Sequence, residues 1–247
     1  MRSPPDSYGV LELLGTHHDF MESIKNVAVI GDSYGDYASW WSDYRCNDEQ
    51  TKSHYVIKNF VRKNQCRGHN KRPNIRFIET DFSNTGAGNE TFDVIWASNC
   101  FQQSADPYGT LQHWWNILRT DGMLCLSVPQ ATYFDDLGRL QINSYSGEYS
   151  GWNIVNLIQA LATCGFDCRD GHFKQTKNDP YIWASVYKGT VSPQDPATTS
   201  WYTLKELNLT PVSLDECIDC YGYVRHDHLM VEWLDHTVYD IAAESRP

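Results

Sequence analysis

The stretch that most narrows the fold is FDVIWASNCFQQSADPYGTLQHWWNILRTDGMLCLSVP, Phe92 to Pro129. FDVIWAS is apolar at nearly every position, the pattern of a strand covered on both faces; strict alternation would mark one wet face. Pro107 to Leu118 then reads as a helix, ending in RTDG with Gly122 placed for a left-handed turn. MLCLSV is a second buried strand, stopped by Pro129. Strands alternating with helices require a parallel sheet with helices on both of its faces.

The rest of the chain continues that alternation. Tyr8 to Ile24 has roughly helical spacing and predicts a leading helix or two; VAVI, Val27 to Ile30, is a short buried strand. Asp36 to Tyr44 is expected to be helical, as is Lys52 to Asn64, with Tyr55, Val56, Phe60 and Val61 on one side. Asn74 to Phe82 is a strand, followed by the loop SNTGAGNE. Gln130 to Gly151 is polar and aromatic without periodicity and reads as a long loop, a length usually tied to function or motion. A helix over Asn153 to Cys164, ended by Gly165, precedes strands at Phe166 to Phe173 and Tyr181 to Lys188. The linker SPQDPATTS leads into an acidic segment with room for one or two short helices. The organisation expected is an N-terminal helical segment (1–25), a main domain (26–190), and a linker with an acidic extension (191–247).

Composition removes several function classes. A content of 41% hydrophobic and 21% charged residues fits a globular chain, and no apolar run approaches membrane-spanning length. The N-terminus lacks the basic start, apolar core and cleavage site of a secretion signal, so a cytoplasmic location with reduced cysteines is expected. A net charge of -11 argues against nonspecific binding to a polyanion. Lys52 to Arg76 runs the other way, with Lys52, Lys58, Arg62, Lys63, Arg67, Lys71, Arg72 and Arg76. Such a run is a solvated helix face and its loop, or else the binding face for a phosphate-bearing substrate.

In register, these elements resemble a class I S-adenosylmethionine-dependent methyltransferase of the type 11 kind, over about Asn26 to Lys188. Phe92 to Pro129 carries most of the likeness: strand four, the loop after it, a helix, the Arg-x-Leu-like turn and strand five. GFD at Gly165 to Asp167 and WASVYK at Trp183 to Lys188 match the last helix end and antiparallel pair. The resemblance implies a Rossmann-like α/β fold: a seven-stranded, mostly parallel sheet whose last strand inserts antiparallel, helices on both faces, and here a small C-terminal helical extension.

The same resemblance implies the site. GDSYG, Gly31 to Gly35, stands where the family has the glycine-rich loop that passes under the cofactor's methionine part, and helix-start N–H groups there favour a carboxylate. Val29 replaces the family's acid and Ser33 its middle glycine, leaving Asp32 or Asp36 to take over a polar contact. A carboxylate at the end of strand two reads the ribose; Asp48 is the candidate beside Glu49, with a helix N-cap as the alternative. Asp81 and Phe82 fit the adenine position, with an ordinary strand-end turn as the alternative. Ser98 and Asn99 complete the cofactor set, and Asn99, Gln102 and Gln103 are the candidates for orienting the substrate near the reacting methyl. A glutamine cannot serve as a base, so the acceptor needs none, draws one from elsewhere, or is not methylated at all.

These residues imply S-adenosylmethionine as cofactor and a small-molecule or sugar-like acceptor. The alternative is a catalytically inactive methyltransferase-fold protein acting as a binding or assembly component. The C-terminal extension, apolar enough to pack on the sheet edge or a protein partner, is faintly similar to methyltransferase-like proteins encoded by tailed phages. A nucleic-acid methyltransferase is opposed by the charge and by Asn99 not opening an Asn-Pro-Pro-aromatic motif. A nicotinamide-binding Rossmann fold is opposed at Ser33 and Asp36, where its fingerprint needs glycine. Cys217, Cys220, His226 and His228 have zinc-capable side chains, but core cysteines and surface histidines are the expected reading, so no metal is assigned.

Overall fold

The computed structural model describes residues 24–45, 56–62, 66, 72–130, 151–175, 181–210 and 239–241. Its strands are β1 (Asn26–Ile30), β2 (Val56–Val61), β3 (Ile75–Glu79), β4 (Phe92–Ser98), β5 (Leu118–Pro129), β6 (Phe166–Gln175), β7 (Tyr181–Lys188) and β8 (Tyr239–Ile241). The helices are α1 (Asp36–Arg45), α2 (Pro107–Ile117), α3 (Ile154–Thr163) and α4 (Trp201–Glu206). All strands join one sheet in the order β3-β2-β1-β4-β5-β7-β6-β8. β1 to β5 pair in parallel, and β7 inserts antiparallel between β5 and β6. That is the expected Rossmann-like architecture.

Alternation along each strand divides the core in two. Ala28, Ile30, Ile95, Ala97, Leu124 and Leu126 face α2 and α3, joining Leu111, Trp114, Leu157 and Leu161. Val27, Val29, Val94, Trp96, Met123 and Cys125 face the other way, toward Tyr37, Trp40 and Trp41 of α1. Trp96 lies 5.8 Å from Trp41 and 6.1 Å from Trp40 between ring centroids, so large rings fill the space under α1. Both faces of the central strands are thus buried, which is why their sequences read as apolar runs.

Three expectations need correction. Lys52 to Asn64 was expected as a helix, but Val56–Val61 is β2, paired with both β1 and β3. The four side chains that suggest one helical face include β-branched residues, and in-register parallel partners on both edges outweigh that weak periodicity. The left-handed residue of the RTDG turn is Asp121 (φ +59), not Gly122. A Cβ on Gly122 would instead meet the Arg119 carbonyl at 2.8 Å, so glycine is there for close backbone approach. Finally, the C-terminal extension is not only helical. After α4, Tyr239–Ile241 adds an eighth strand outside β6.

The start of that extension belongs to the core. Trp201, Leu204 and Leu209 are buried against the α3 side, and the Leu209 carbonyl accepts the Cys168 N–H at 3.1 Å. The leading helix expected before Ile24, most of the loop after Gln130, and Cys217, Cys220, His226 and His228 lie outside the described residues.

Asp93 ties the two central strands at their amino ends. Only 4% exposed, it accepts the N–H groups of Lys25 and Asn26 at 2.5 and 2.7 Å and pairs with Arg119 at 2.9 Å. Removing the carboxylate leaves backbone donors without their acceptor. Asp93→Ala is therefore expected to cost about 3 kcal/mol. In urea titrations this should lower the midpoint with the slope unchanged.

Candidate active site

In an open parallel sheet, ligands bind outside the carboxyl ends of the strands, at the point where strand order reverses. Here that point lies between β1 and β4. Gly31, Asp32, Ser33 and Gly35 follow β1; Asp81 and Phe82 follow β3; Ser98, Asn99, Gln102 and Gln103 end or follow β4. The fold therefore brings these sequence-predicted residues to one edge of the sheet. Asp48 is outside the described residues, and it precedes β2 in the chain, so it is not at that strand's carboxyl end.

The first loop is organised by its own acid. Asp32, 8% exposed, accepts N–H groups from Gly35 and Ala38 at 2.9 Å and from Asp36 at 3.0 Å. Burial raises the pKa of this carboxyl, while the backbone donors of Ala38, Asp36 and Gly35 pull it back. Asn59 of β2 also donates to the Asp32 carbonyl at 2.9 Å. The polar role expected of Asp32 is thus directed inward: it holds the start of α1 and occupies donors that would otherwise face a ligand carboxylate. Gly31 (φ +81) and Gly35 (φ +77) are both left-handed. A Cβ on Gly31 would fall 2.4 Å from Cβ of Cys100, and one on Gly35 2.6 Å from the Phe77 ring. Both positions need glycine for conformation and for packing, independently of any ligand.

Across the switch point, Cys100 is buried with Sγ 3.4 Å from the Ile30 carbonyl, and burial pushes its thiol up to about 12. It is no nucleophile at neutral pH. Asn99 is exposed and left-handed (φ +48), a conformation asparagine tolerates better than most residues. Its N–H donates to Ser127 Oγ at 3.1 Å, and its side chain takes Gln102 Nε2 at 2.6 Å and reaches Tyr181 OH at 3.4 Å. Ser98 Oγ lies 3.0 Å from both Tyr37 OH and Ser127 Oγ. Sequence reading missed Tyr37, Ser127 and Tyr181. They come from α1, β5 and β7, and only the folded register brings them together.

At the β3 end, Asp81 is exposed and its Oδ1 caps the Ser83 N–H at 2.9 Å, the ordinary turn role. The Phe82 ring is buried, and its face is covered by the guanidinium of Arg62, 4.7 Å from the ring centroid. Arg62 immediately follows β2, and its Nη2 donates to the Gln103 carbonyl at 2.6 Å. The resemblance implies an acid at that end of β2; the chain has a cation. Reading Lys52 to Asn64 as a helix hid this. The β-branched run Val56, Ile57 and Val61 was the signal that would have exposed it.

Nearby, His113 Nε2 accepts the Thr85 N–H at 3.0 Å, so that nitrogen carries no proton. Burial lowers the pKa of this imidazole, against the opposing field of Asp81. Because the unfolded chain binds the proton more readily, the contribution of His113 is fully present above about pH 6.5 and is lost as pH falls from there through the lower folded value. The urea midpoint should therefore drop between pH 7.5 and 5.5, and the drop should shrink in His113→Gln.

Comparison with known proteins agrees with this geometry. The family model described as "Methyltransferase domain" matches residues 30–126. No curated protein matches the chain in sequence. Among solved structures, the CurJ carbon methyltransferase is similar at a TM-score of 0.55 and 12% identity, over 74% of this chain and 54% of that one. This chain thus spans about half the length of that protein. An S-adenosylmethionine-dependent methyltransferase from Mesorhizobium loti gives a TM-score of 0.52 at 12% identity, covering 74% of this chain and 99% of the other. One from Aquifex aeolicus gives 0.50 at 14% identity, covering 74% and 93%. Residues 30–126 match a methyltransferase domain, and the chain that contains them has the Rossmann-like fold of the class I, S-adenosylmethionine-dependent methyltransferases.

Proposed function

We propose that this chain transfers a methyl group from S-adenosylmethionine to a small-molecule or sugar-like acceptor. The observation that carries the reading is the left-handed Gly31–Gly35 loop facing the polar turn Ser98 to Gln103 across the switch point. The residues fit the cofactor at two ends. Asp81, with one oxygen engaged by Ser83, keeps the other for an adenine amine, and Ser98 and Asn99 line the sulfonium end beside the loop. They do not fit at the ribose, where Arg62 stands in place of an acceptor.

When bound, the cofactor supplies an electrophilic methyl on a sulfonium. The chain's contribution is alignment, which can lower the barrier to an in-line displacement by several kcal/mol, on the order of 7–11 at best. Asn99 is suited to that task because Gln102 and Tyr181 fix its amide. Cys100 is the one ionisable side chain between Ser98 and Gln103, and it is protonated, so no base comes from this turn. The acceptor is then one already nucleophilic, or, for a sugar-like hydroxyl, the base comes from outside this turn. A second reading, a methyltransferase-fold binding component without catalysis, is favoured by Asp32 occupying the helix-start N–H groups.

Calorimetric titration with S-adenosylhomocysteine separates the two when paired with a radiolabelled-methyl assay on small-molecule acceptors. Binding weakened about tenfold in Asp81→Asn is expected, since asparagine keeps the Ser83 cap but repels the adenine amine. Folded protein that binds neither S-adenosylhomocysteine nor S-adenosylmethionine would refute the enzyme.

A further inference from the structure

The mismatch at the carboxyl end of β2 points to a ligand. Arg62 is half-buried, and its guanidinium lies on the Phe82 ring with one N–H held by the Gln103 carbonyl. A guanidinium has five N–H donors and no acceptor. Beyond the Gln103 bond, no described residue accepts from Arg62, and no described carboxylate pairs with it. Of the described acids at neighbouring strand ends, Asp32 holds three backbone N–H groups, Asp81 gives one oxygen to its turn, and Glu79, opposite Val61, makes no ion pair with Arg62. Sheet order gives the direction of reach. β2 and β4 flank β1, so the bond from Arg62 to Gln103 passes over the carboxyl end of β1, beside the Gly31 loop. A cation with no counterion among the described residues is therefore fixed in the crevice, its fork oriented by the Phe82 ring and the Gln103 carbonyl.

The chemistry of this position is read by donors and acceptors. A carboxylate there accepts from a free ribose diol, whereas an arginine accommodates a phosphate on the ribose. Arginine is also the side chain that pairs with phosphate in bidentate geometry while stacking its plane on an aromatic ring. We propose that Arg62 determines the specificity of the crevice, selecting a nucleoside whose ribose carries a phosphate over one with a free diol. This rests on the crevice being the nucleoside site, as in the reading above, but not on S-adenosylmethionine being its preferred occupant, since a donor with a free diol would be held there more weakly than a ribose phosphate. It also accounts for a basic residue of the Lys52 to Arg76 run that the methyltransferase reading leaves without a role. The net charge of -11 does not oppose it, because exposed charges beyond about 8–10 Å are screened while the guanidinium would touch the phosphate.

The test is titration of the full chain with adenosine, adenosine 2′-monophosphate, adenosine 3′-monophosphate, inorganic phosphate and S-adenosylhomocysteine. Wild type, Arg62→Ala and Arg62→Glu are compared, each shown folded by its thermal transition. One of the two monophosphates should bind about ten- to a hundredfold tighter than adenosine. Added salt should weaken it, and Arg62→Ala should reduce it to the affinity of adenosine. Arg62→Glu should reverse the order, favouring S-adenosylhomocysteine over the monophosphates. Monophosphates that bind no better than adenosine, or a preference that survives in Arg62→Ala, would overturn the proposal. So would inorganic phosphate binding as tightly as the nucleotide, which would mean an ion site alone. Tight S-adenosylhomocysteine binding in those cases leaves the methyl-donor reading standing; no binding of any nucleoside removes both.

Discussion

The parallel pairing of β1 between β2 and β4 is the constraint on which the rest of the structure depends. Parallel strands require crossover helices, and those helices bury both faces of the sheet. The loops that follow β1, β2, β3 and β4 consequently leave from the same edge. Gly31, Arg62, Asp81 and Gln103 are far apart in sequence, yet all end there. Because strand order reverses between β1 and β4, their loops diverge onto opposite faces and open a crevice. Burying Val27, Ala28, Val29 and Ile30 at 1% exposure or less stabilises the strand that positions all of it.

Within that frame the glycine loop is held by protein contacts. Asp32 neutralises the start of α1, Cys100 packs against Gly31, and Phe77 packs against Gly35. An acid three positions after Val29 does structural work that the absent acid of β1 does not. This substitution changes what the loop offers a ligand. Three amide protons turn inward, and the polar groups left on the crevice side belong mainly to the turn after β4. Tyr37 of α1 and Tyr181 of β7, both on the α1 side of the sheet, extend that turn.

Much of the fold was legible in the sequence because burial on both faces leaves a direct trace. FDVIWAS, MLCLSV and VAVI are apolar runs of strand length, and Asn153 and Gly165 bracket α3 with a capping box and a left-handed residue. β2 was not legible in the same way. VIKNFV carries a lysine and an asparagine, and in isolation its spacing suits a helix. Asn59 is tolerated inside the sheet because its amide bonds the Asp32 carbonyl, a contact 27 residues away in the chain. Long-range partners of this kind are invisible to periodicity. Misplacing β2 then put its carboxyl end near Asp48, where the strand in fact ends at Val61 and Arg62 follows. The turns after β3 and β4 were placed because their strands were.

The error at β2 also shows why a resemblance transfers positions better than chemistry. The fold brings a side chain to the carboxyl end of β2 whatever its type, since sheet geometry sets the location and not the charge. An acid there would draw in hydroxyl donors; Arg62, with its ring support from Phe82 and its tether to Gln103, attracts acceptors. Desolvation sharpens the difference, because a half-buried guanidinium interacts more strongly with a contacting anion than one in open water. Two chains can share every strand of this sheet and still prefer ligands of opposite polarity at this point. The discriminating feature is a single residue and the two contacts that hold it flat.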